Sequence, residues 1–300
     1  MTVEVGGRSL TLTHLEKELW PGFTKRQLVD YYLGIASQLL PHLAGRAVTL
    51  GRFPNGIAGR GFAQTECRGR PDWISTRPVR LRSGVTRNYC VIEEPAALAW
   101  AANLGTLELH PFLHRDDPTR PDFVVLDLDP GPGANLADCC EVALALRGLL
   151  SDMGRTALVK TSGGYGLHVY VPLEGTTDYG GSKRLARSMA ARLASERPDS
   201  VTDRSEREAR VGRVLVDWAQ NSAGRSTVAP YSPRAADSPS VSTPLTWEEV
   251  EGQSPEALRF GPEAVLERAQ RLGDPFAAAL SGLDQTRARS KPSPTGRRSG

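Results

Sequence analysis

The stretch Phe123-Val-Val-Leu-Asp-Leu-Asp-Pro-Gly131 decides how the chain is read. It is a short apolar strand that ends in two aspartates and is broken by Pro130-Gly-Pro-Gly133. Side chains alternate faces along a strand, so Asp127 and Asp129 point the same way while Leu128 points into the core. Two carboxylates on one face repel each other unless a cation sits between them. Hard divalent ions take oxygen ligands of this kind. A pair of strand-end aspartates capping a turn is the plainer reading of the same residues.

Two further segments carry chemistry. Lys160-Thr-Ser-Gly-Gly-Tyr-Gly-Leu-His-Val-Tyr-Val171 places Gly163, Gly164 and Gly166 in a turn between two strands. Glycines let backbone N–H groups approach a ligand as an anion nest, and Ser162 adds a hydroxyl. His168 shares a strand face with Tyr170, and Leu167 and Val169 share the other. The loop suits a triphosphate but is not a Walker loop, since no Gly-Lys-Ser/Thr follows. A glycine-rich hairpin with a structural histidine is the alternative. Val214-Leu-Val-Asp217-Trp218 is a third strand ending in a carboxylate. With Asp127 and Asp129 it completes the ligand count of a two-metal site.

Working outward, Thr24 reads as an N-cap with Gln27 as its capping-box partner, opening an amphipathic helix over 25–40. His14 to Trp20 reads as a helical turn ended by Pro21-Gly22. Residues 46–92 read as loops and short strands, and 95–109 begin as a helix that ends near Gly105. Asn135 caps a helix over 136–151. Strands over 157–161 and 166–172 precede a helix over 180–197. Beyond Pro230 the chain is irregular, with helices expected at 246–251 and 262–271. From about residue 284 it is too poor in hydrophobes to fold and is expected to be disordered. Irregular alternation of strands and helices makes the class α+β or mixed α/β.

The composition, 39% apolar, 24% charged and 6% aromatic over 300 residues, is that of a globular chain with room for a sizeable core. No apolar run is long enough for a membrane span, and the N-terminus has no signal-peptide pattern. The four cysteines, Cys67, Cys90, Cys139 and Cys140, include no C-x-x-C pair, so neither a zinc site nor a disulfide framework is expected, and a reducing cytoplasm fits. The net charge of +3 comes from the tail. Its last sixteen residues hold five of the 37 Lys and Arg and no acid, leaving 32 cations against 34 acids elsewhere. A polyanion must therefore meet a local patch. One exists: Arg46, Arg52, Arg60, Arg68, Arg70, Arg77, Arg80, Arg82 and Arg87 face only Glu66 and Asp72 between residues 46 and 87. A solvated arginine-rich surface is the alternative for that patch.

The order LELH, VVLDLDPG, KTSGGYGLHVYVPL, VLVDWAQN, STVAPYSPRA and VSTPLTWEEV resembles the polymerase domain of bacterial DNA ligase D, a family of the archaeo-eukaryotic primase (prim-pol) superfamily. The resemblance covers roughly residues 10–275. It implies an α+β prim-pol fold over 1–283, a disordered basic tail over 284–300, and template-directed nucleotidyl transfer. It places the family's metal ligands on Asp127, Asp129 and Asp217, for two Mn2+ or Mg2+ ions. Nucleotide contacts fall on Ser162, Gly163, Gly164 and His168 for phosphates, on His110 and Gln220 near the sugar, and on Arg234 beside the triphosphate, with ribonucleotides favoured over deoxyribonucleotides. DNA contacts fall on Lys17 and Lys25, which grip a 5′-phosphate, on Arg52, Arg60, Phe62 and Gln64 at the template, and on Arg210. The implied partners are DNA gaps or broken ends, a separate ATP-dependent DNA ligase, since no ligase or nuclease module is apparent, and the end-binding protein Ku. The implied location is the nucleoid-associated cytoplasm.

The chain departs from the family pattern at four positions. Gly51 stands where a Lys is frequent, Ala63 where a second Phe is, Tyr165 where a Lys is common, and Ala236 where a second Arg is usual. These departures thin the template grip and the triphosphate shell, which leaves a DNA-end-binding scaffold with a degenerate site as an alternative. A haloacid-dehalogenase-like phosphatase also carries a strand ending in DxD. It wants a Thr two residues after the second Asp, where this chain has Gly131.

Overall fold

A computed structural model describes residues 1–290 except Arg82, Glu174, Thr176 and Gln253, with side chains as far as Thr286. Arg82 of the arginine patch and the tail from residue 291 lie outside the described residues. The architecture is α+β, as the sequence reading expects, with a mixed sheet flanked by helices. The six-stranded sheet runs in the order Val201–Thr202, Val214–Asp217, Phe123–Pro130, Leu167–Pro172, Leu158–Thr161, Pro244–Leu245. Only the first pair is parallel. The DxD strand therefore lies inside the sheet, with the glycine-loop strand on one side and the third aspartate strand on the other.

The two faces of that central strand meet different surroundings. Val124, Leu126 and Leu128 are fully buried in a core shared with the helices Leu136–Asp152 and Tyr179–Glu196. Phe123 and Val125, on the other face, pack with Tyr170, Phe276, Leu280 and Leu283. Asp127 and Asp129 continue that second face. One alternation rule thus explains both the core and the acidic end.

A second sheet of five strands, Val48–Arg52, Phe62–Gln64, Thr76–Arg80, Thr86–Cys90 and Thr106–Pro111, stands over the N-terminal helices with its own core. The buried Arg46 guanidinium ties the two halves together. It donates to the Phe112 carbonyl at 3.1 Å and to the Asp122 carboxylate, just before the central strand. Removing one partner from such a buried pair costs about 3–5 kcal/mol, because the other is left charged and dry.

Several local expectations hold. Thr24 and Gln27 form a capping box, and Asn135 forms another with Asp138. Others need correction. The helix expected over 25–40 is two helices, Lys25–Gly34 and Ala36–Leu43, because buried Ile35 leaves helical geometry between them. The turn expected over 14–20 ends as a hairpin: Glu18–Trp20 pairs with Phe23–Thr24 across Pro21-Gly22. Burial of Leu19 and Trp20, and the bond from Trp20 Nε1 to the Ala236 carbonyl at 2.8 Å, favour that extended form. The chain is helical from Ala277 to Ser290, past the point where disorder was expected. Phe276, Leu280 and Leu283 bury there, and Arg115 holds Asp284. The cysteine expectation also fails, since Cys67 and Cys90 form a disulfide. Cys67 N–H donates to the Asn88 carbonyl at 2.7 Å, which lays its segment alongside Cys90. Cys139 and Cys140 are free and buried. Among the described residues, no helix is long and apolar enough to cross a membrane.

His114 gives the fold a pH dependence. It is buried, with Nδ1 2.8 Å from the Tyr179 hydroxyl. Burial, then the nearby Arg46 and Arg77, lowers its pKa from 6.5 to about 4. Between those values the unfolded chain takes up a proton that the folded chain refuses. Stability therefore falls as pH drops from 6.5 towards 4, by about 3 kcal/mol at the limit, and this contribution levels off below pH 4. Urea denaturation of wild type and His114→Gln across this range should show a flatter pH slope for the variant. Identical slopes would contradict the assignment.

Candidate active site

The register across the central sheet builds the site. Asp127 lies directly opposite Asp217 on one neighbouring strand and opposite His168 on the other, and His168 lies opposite Lys160 on the next. Directly opposed residues of antiparallel strands share a face. Asp217, Asp127, His168 and Lys160 therefore form one row across the sheet, with Asp129 one step along.

Their charges are strongly coupled. His168 Nε2 lies 3.2 Å from Asp127 Oδ1. Burial lowers the His168 pKa, and the charge of Asp127 opposes that shift. Burial alone would raise the Asp127 pKa, but His168, Lys160 and Arg234 outweigh it and keep the carboxylate ionised. Asp129 goes the other way. Burial first, then repulsion from Asp127, pushes it up to about 6, with Arg210 opposing and Asp217 adding to the rise. Lys160 is fully buried and donates to Ser242 Oγ. Burial and Arg234 hold its pKa well below the usual lysine range.

A cavity of about 440 Å3 opens over this row. It gathers His110, Asp127, Asp129, Ser162, Gly164, His168, Arg210, Gln220 and Arg234, which the sequence reading had assigned to three separate roles. Asp127 Oδ1, His168 Nδ1 and Arg210 Nε, all from residues of this cavity, are buried polar atoms without a hydrogen-bond partner in the protein. Such atoms are costly unless a ligand completes them. Repelling carboxylates and an orphaned carboxylate oxygen fit divalent cations. The set is not closed around a cation position among the described residues. Asp217 Oδ1 accepts from the Ala219 amide at 2.7 Å, and Asp217 does not line the cavity.

The glycine loop differs in detail from the expected nest. Ser162 Oγ already accepts from the Gly164 and Gly166 amides, at 3.1 and 3.2 Å. Those two N–H groups are committed to the loop itself, and the Ser162 hydroxyl proton remains as the donor. Gly166 is required by space: a Cβ there would lie 2.1 Å from the Leu128 carbonyl oxygen. Gly163, at φ +76°, sits against Arg234, whose Cγ would be 2.3 Å from an added Cβ.

Glu108 is one residue that sequence reasoning missed. It accepts from His110 Nε2 at 2.8 Å and from the Ala235 amide at 3.0 Å, and lies 3.3 Å from Arg234 Nε. Burial opposes its ionisation, but His110, Arg234 and the amide lower its pKa to about 2. One carboxylate thus orients both His110 and Arg234. The alternation of Leu107-Glu-Leu-His110 was the available signal, since it places Glu108 and His110 on one face. Gly51 lies opposite Glu108, and a Cβ there would come within 2.8 Å of the Glu108 Cβ, which gives that departure a steric reason. Asn221 was also missed. Its side-chain amide pairs with both backbone groups of Val125, extending the ladder past Asp217 and fixing the loop that carries Gln220.

The remaining assigned residues lie away from this cavity. Lys17 donates to Asn55 Oδ1 at 2.8 Å. Buried Lys25 donates to the Asn103 carbonyl at 3.0 Å, and burial, then Lys17, lowers its pKa. The Lys25 amide also bonds the Lys17 carbonyl at 2.8 Å, so the two lysines are neighbours. Arg52 is committed internally: it donates to the Leu104 carbonyl and to Gln64 Oε1, and its guanidinium lies 5.3 Å from the Phe62 ring centroid. Phe62 is 48% exposed on this support, and Arg60 is exposed beside it.

Comparison with known proteins identifies the family. A family described as LigD, primase-polymerase domain, matches residues 24–276. The multifunctional non-homologous end joining protein LigD of Mycolicibacterium smegmatis is 39% identical over 272 residues, covering 89% of this chain and 35% of that protein. The bifunctional non-homologous end joining protein LigD of Bacillus subtilis is 29% identical over 254 residues, covering 84% of this chain and 41% of that protein. The chain thus spans roughly a third to two fifths of these relatives. The polymerase domain of Mycobacterium tuberculosis ligase D, solved in complex with DNA, superimposes with a TM-score of 0.85 at 37% identity, over 91% of this chain and 98% of that one. The sheet register, the cavity and these matches lead to one conclusion: the chain belongs to the LigD primase-polymerase family.

Proposed function

We propose that this chain is a DNA-repair polymerase that adds nucleotides, ribonucleotides by preference, at DNA gaps or broken ends bearing a 5′-phosphate. The observation that carries the reading is the single cavity in which the Asp127–Asp129 pair meets Ser162, His168 and Arg234. Carboxylates at one side and phosphate donors at the other are what an in-line attack on an α-phosphate requires, with positioning and electrostatics as the main catalytic terms. A scaffold with a degenerate site would have no reason to keep this arrangement.

Asp127, Asp129 and Asp217 would hold two divalent cations, Mn2+ or Mg2+. Bound there, such ions neutralise charge on the attacking and leaving oxygens. The chain's own groups do the rest. The Ser162 hydroxyl and His168 Nδ1 bind phosphate oxygens, and Arg234, held by Glu108, takes the polyphosphate. His110, oriented by the same Glu108, and Gln220 meet the sugar. A site that hydrogen-bonds a hydroxyl leaves polar groups unpaired when that hydroxyl is missing, at about 1–3 kcal/mol each. A DNA ligase and the end-binding protein Ku are the partners this reading calls for, in non-homologous end joining or short-gap repair in the nucleoid-associated cytoplasm.

Single-turnover filling of a one-nucleotide gap tests the chemistry. Asp127→Ala with Asp129→Ala should abolish addition while DNA affinity stays nearly unchanged, because arginines and lysines supply the phosphate contacts. Wild type should favour the ribonucleotide by about tenfold, the equivalent of ~1.4 kcal/mol. Wild-type rates from the double variant would overturn the polymerase assignment, and an equal or deoxy-favouring wild type the sugar assignment.

The DNA end is tested separately. Wild type should bind a gapped duplex more weakly once the downstream 5′-phosphate is removed, and Lys17→Ala/Lys25→Ala should lose most of that difference. Equal wild-type affinity for both DNAs at matched salt would contradict the role of the lysine pair.

A further inference from the structure

A second cavity, of about 330 Å3, lies behind the glycine loop. Gly163, Gly164, Tyr165, Ala236, Ser240 and Arg259 are among its lining residues. Gly164 and Tyr165 also line the catalytic cavity, so the two spaces meet at the loop. Arg234, which lines the first cavity, packs its side chain on Gly163, which lines the second, so closely that a Cβ would not fit. Two of the positions where the chain departs from the family pattern, Tyr165 and Ala236, fall in this second space.

Arg259 is the cation of this cavity. It is exposed and has no ion pair among the described residues. Its guanidinium lies 5.2 Å from the ring centroid of Tyr165, which is itself 62% exposed. A ring under a guanidinium restrains it without using its N–H donors, so the fork stays available for a planar or tetrahedral oxyanion. Asp237, also exposed, is the carboxylate of the lining and opposes an anion there.

We infer that this cavity receives the terminal phosphate of the incoming nucleoside triphosphate, and that Arg259, braced on Tyr165, binds it. The direction follows from the layout. Asp127 and Asp129, which mark the reacting end, line only the first cavity, Ser162 and Arg234 line it too, and the second cavity continues past the loop. The inference rests on the nucleotide-polymerising reading and assigns the far end of its substrate. Free inorganic polyphosphate shares the same chemistry, and the test separates the two sources.

Calorimetric titration of the intact chain with ATP, ADP, tripolyphosphate and pyrophosphate, in Mn2+ buffer, decides the matter. Arg259→Ala should weaken ATP about tenfold and leave ADP within twofold, since only the third phosphate reaches the residue. Arg259→Lys should recover part of the loss, Tyr165→Ala should show a smaller loss, and Asp237→Asn should bind ATP more tightly than wild type. ATP bound far more tightly than tripolyphosphate marks the nucleotide as the ligand. Tripolyphosphate bound as tightly as ATP, with the same Arg259 dependence, overturns the nucleotide assignment in favour of a free polyphosphate. Equal ATP affinity in wild type and Arg259→Ala, or equal losses for ATP and ADP, overturns the role of Arg259 and leaves the polymerase reading standing. A wild type that binds no ATP overturns both. Matching thermal melts of the variants exclude misfolding as the cause.

Discussion

Asp127 and Asp217 oppose each other on adjacent antiparallel strands, with Asp129 one step along the same face. Like charges in this register are unfavourable, and in a half-dry site far more so than in water. The surroundings answer that strain. His168 and Lys160 extend the row on one side, while Arg210, at the end of a 3-10 helix, and Arg234, on a short strand, also line the cavity. The compensation is incomplete. Asp129 is still pushed up to about 6, and Asp127 Oδ1 still lacks a hydrogen bond. That residual imbalance is what a pair of divalent cations and a polyphosphate would relieve.

The remainder of the fold holds this row in place. The apolar half of each strand locks the register, because a slip of one residue would turn Asp127 and Asp129 into the core and expose Leu126 and Leu128. Asn221 continues the hydrogen-bond ladder where the Asp217 strand ends, so the Gln220 loop leaves the sheet at a defined point. Glu108 reaches over from the second sheet to set His110 and Arg234. Arg46, paired with Asp122 at the head of the central strand, couples the halves that supply these groups.

Most of the centre was legible because it depends on period-two alternation, which is local. The strand ending in Asp127 and Asp129, the strand carrying His168 and Tyr170, the Thr24 capping box and the Asn135 cap all follow from near neighbours in sequence. What was not legible depends on distant partners. Nothing near Glu108 reveals that Arg234, more than a hundred residues away, lies beside it. The residues around Leu280 look too polar for an isolated helix, and that helix exists because Phe123, Val125 and Tyr170 offer it an apolar surface. The Cys67–Cys90 bridge needs the Cys67 segment to run beside the Thr86–Cys90 strand, a pairing that cysteine spacing does not announce. The glycine loop failed for a subtler reason. Its glycines do permit an anion nest, but the preceding serine uses two of the amides first.

The central claim is that the carboxylate row is built to hold two cations beside a nucleotide. Crystals of the chain grown with manganese and a nucleoside triphosphate, measured at a wavelength where manganese scatters anomalously, address it directly. Two anomalous peaks in contact with Asp127 and Asp129, with Asp217 turned from the Ala219 amide to join one of them, is the predicted result. Density for the nucleotide with no anomalous peak at these carboxylates would contradict it.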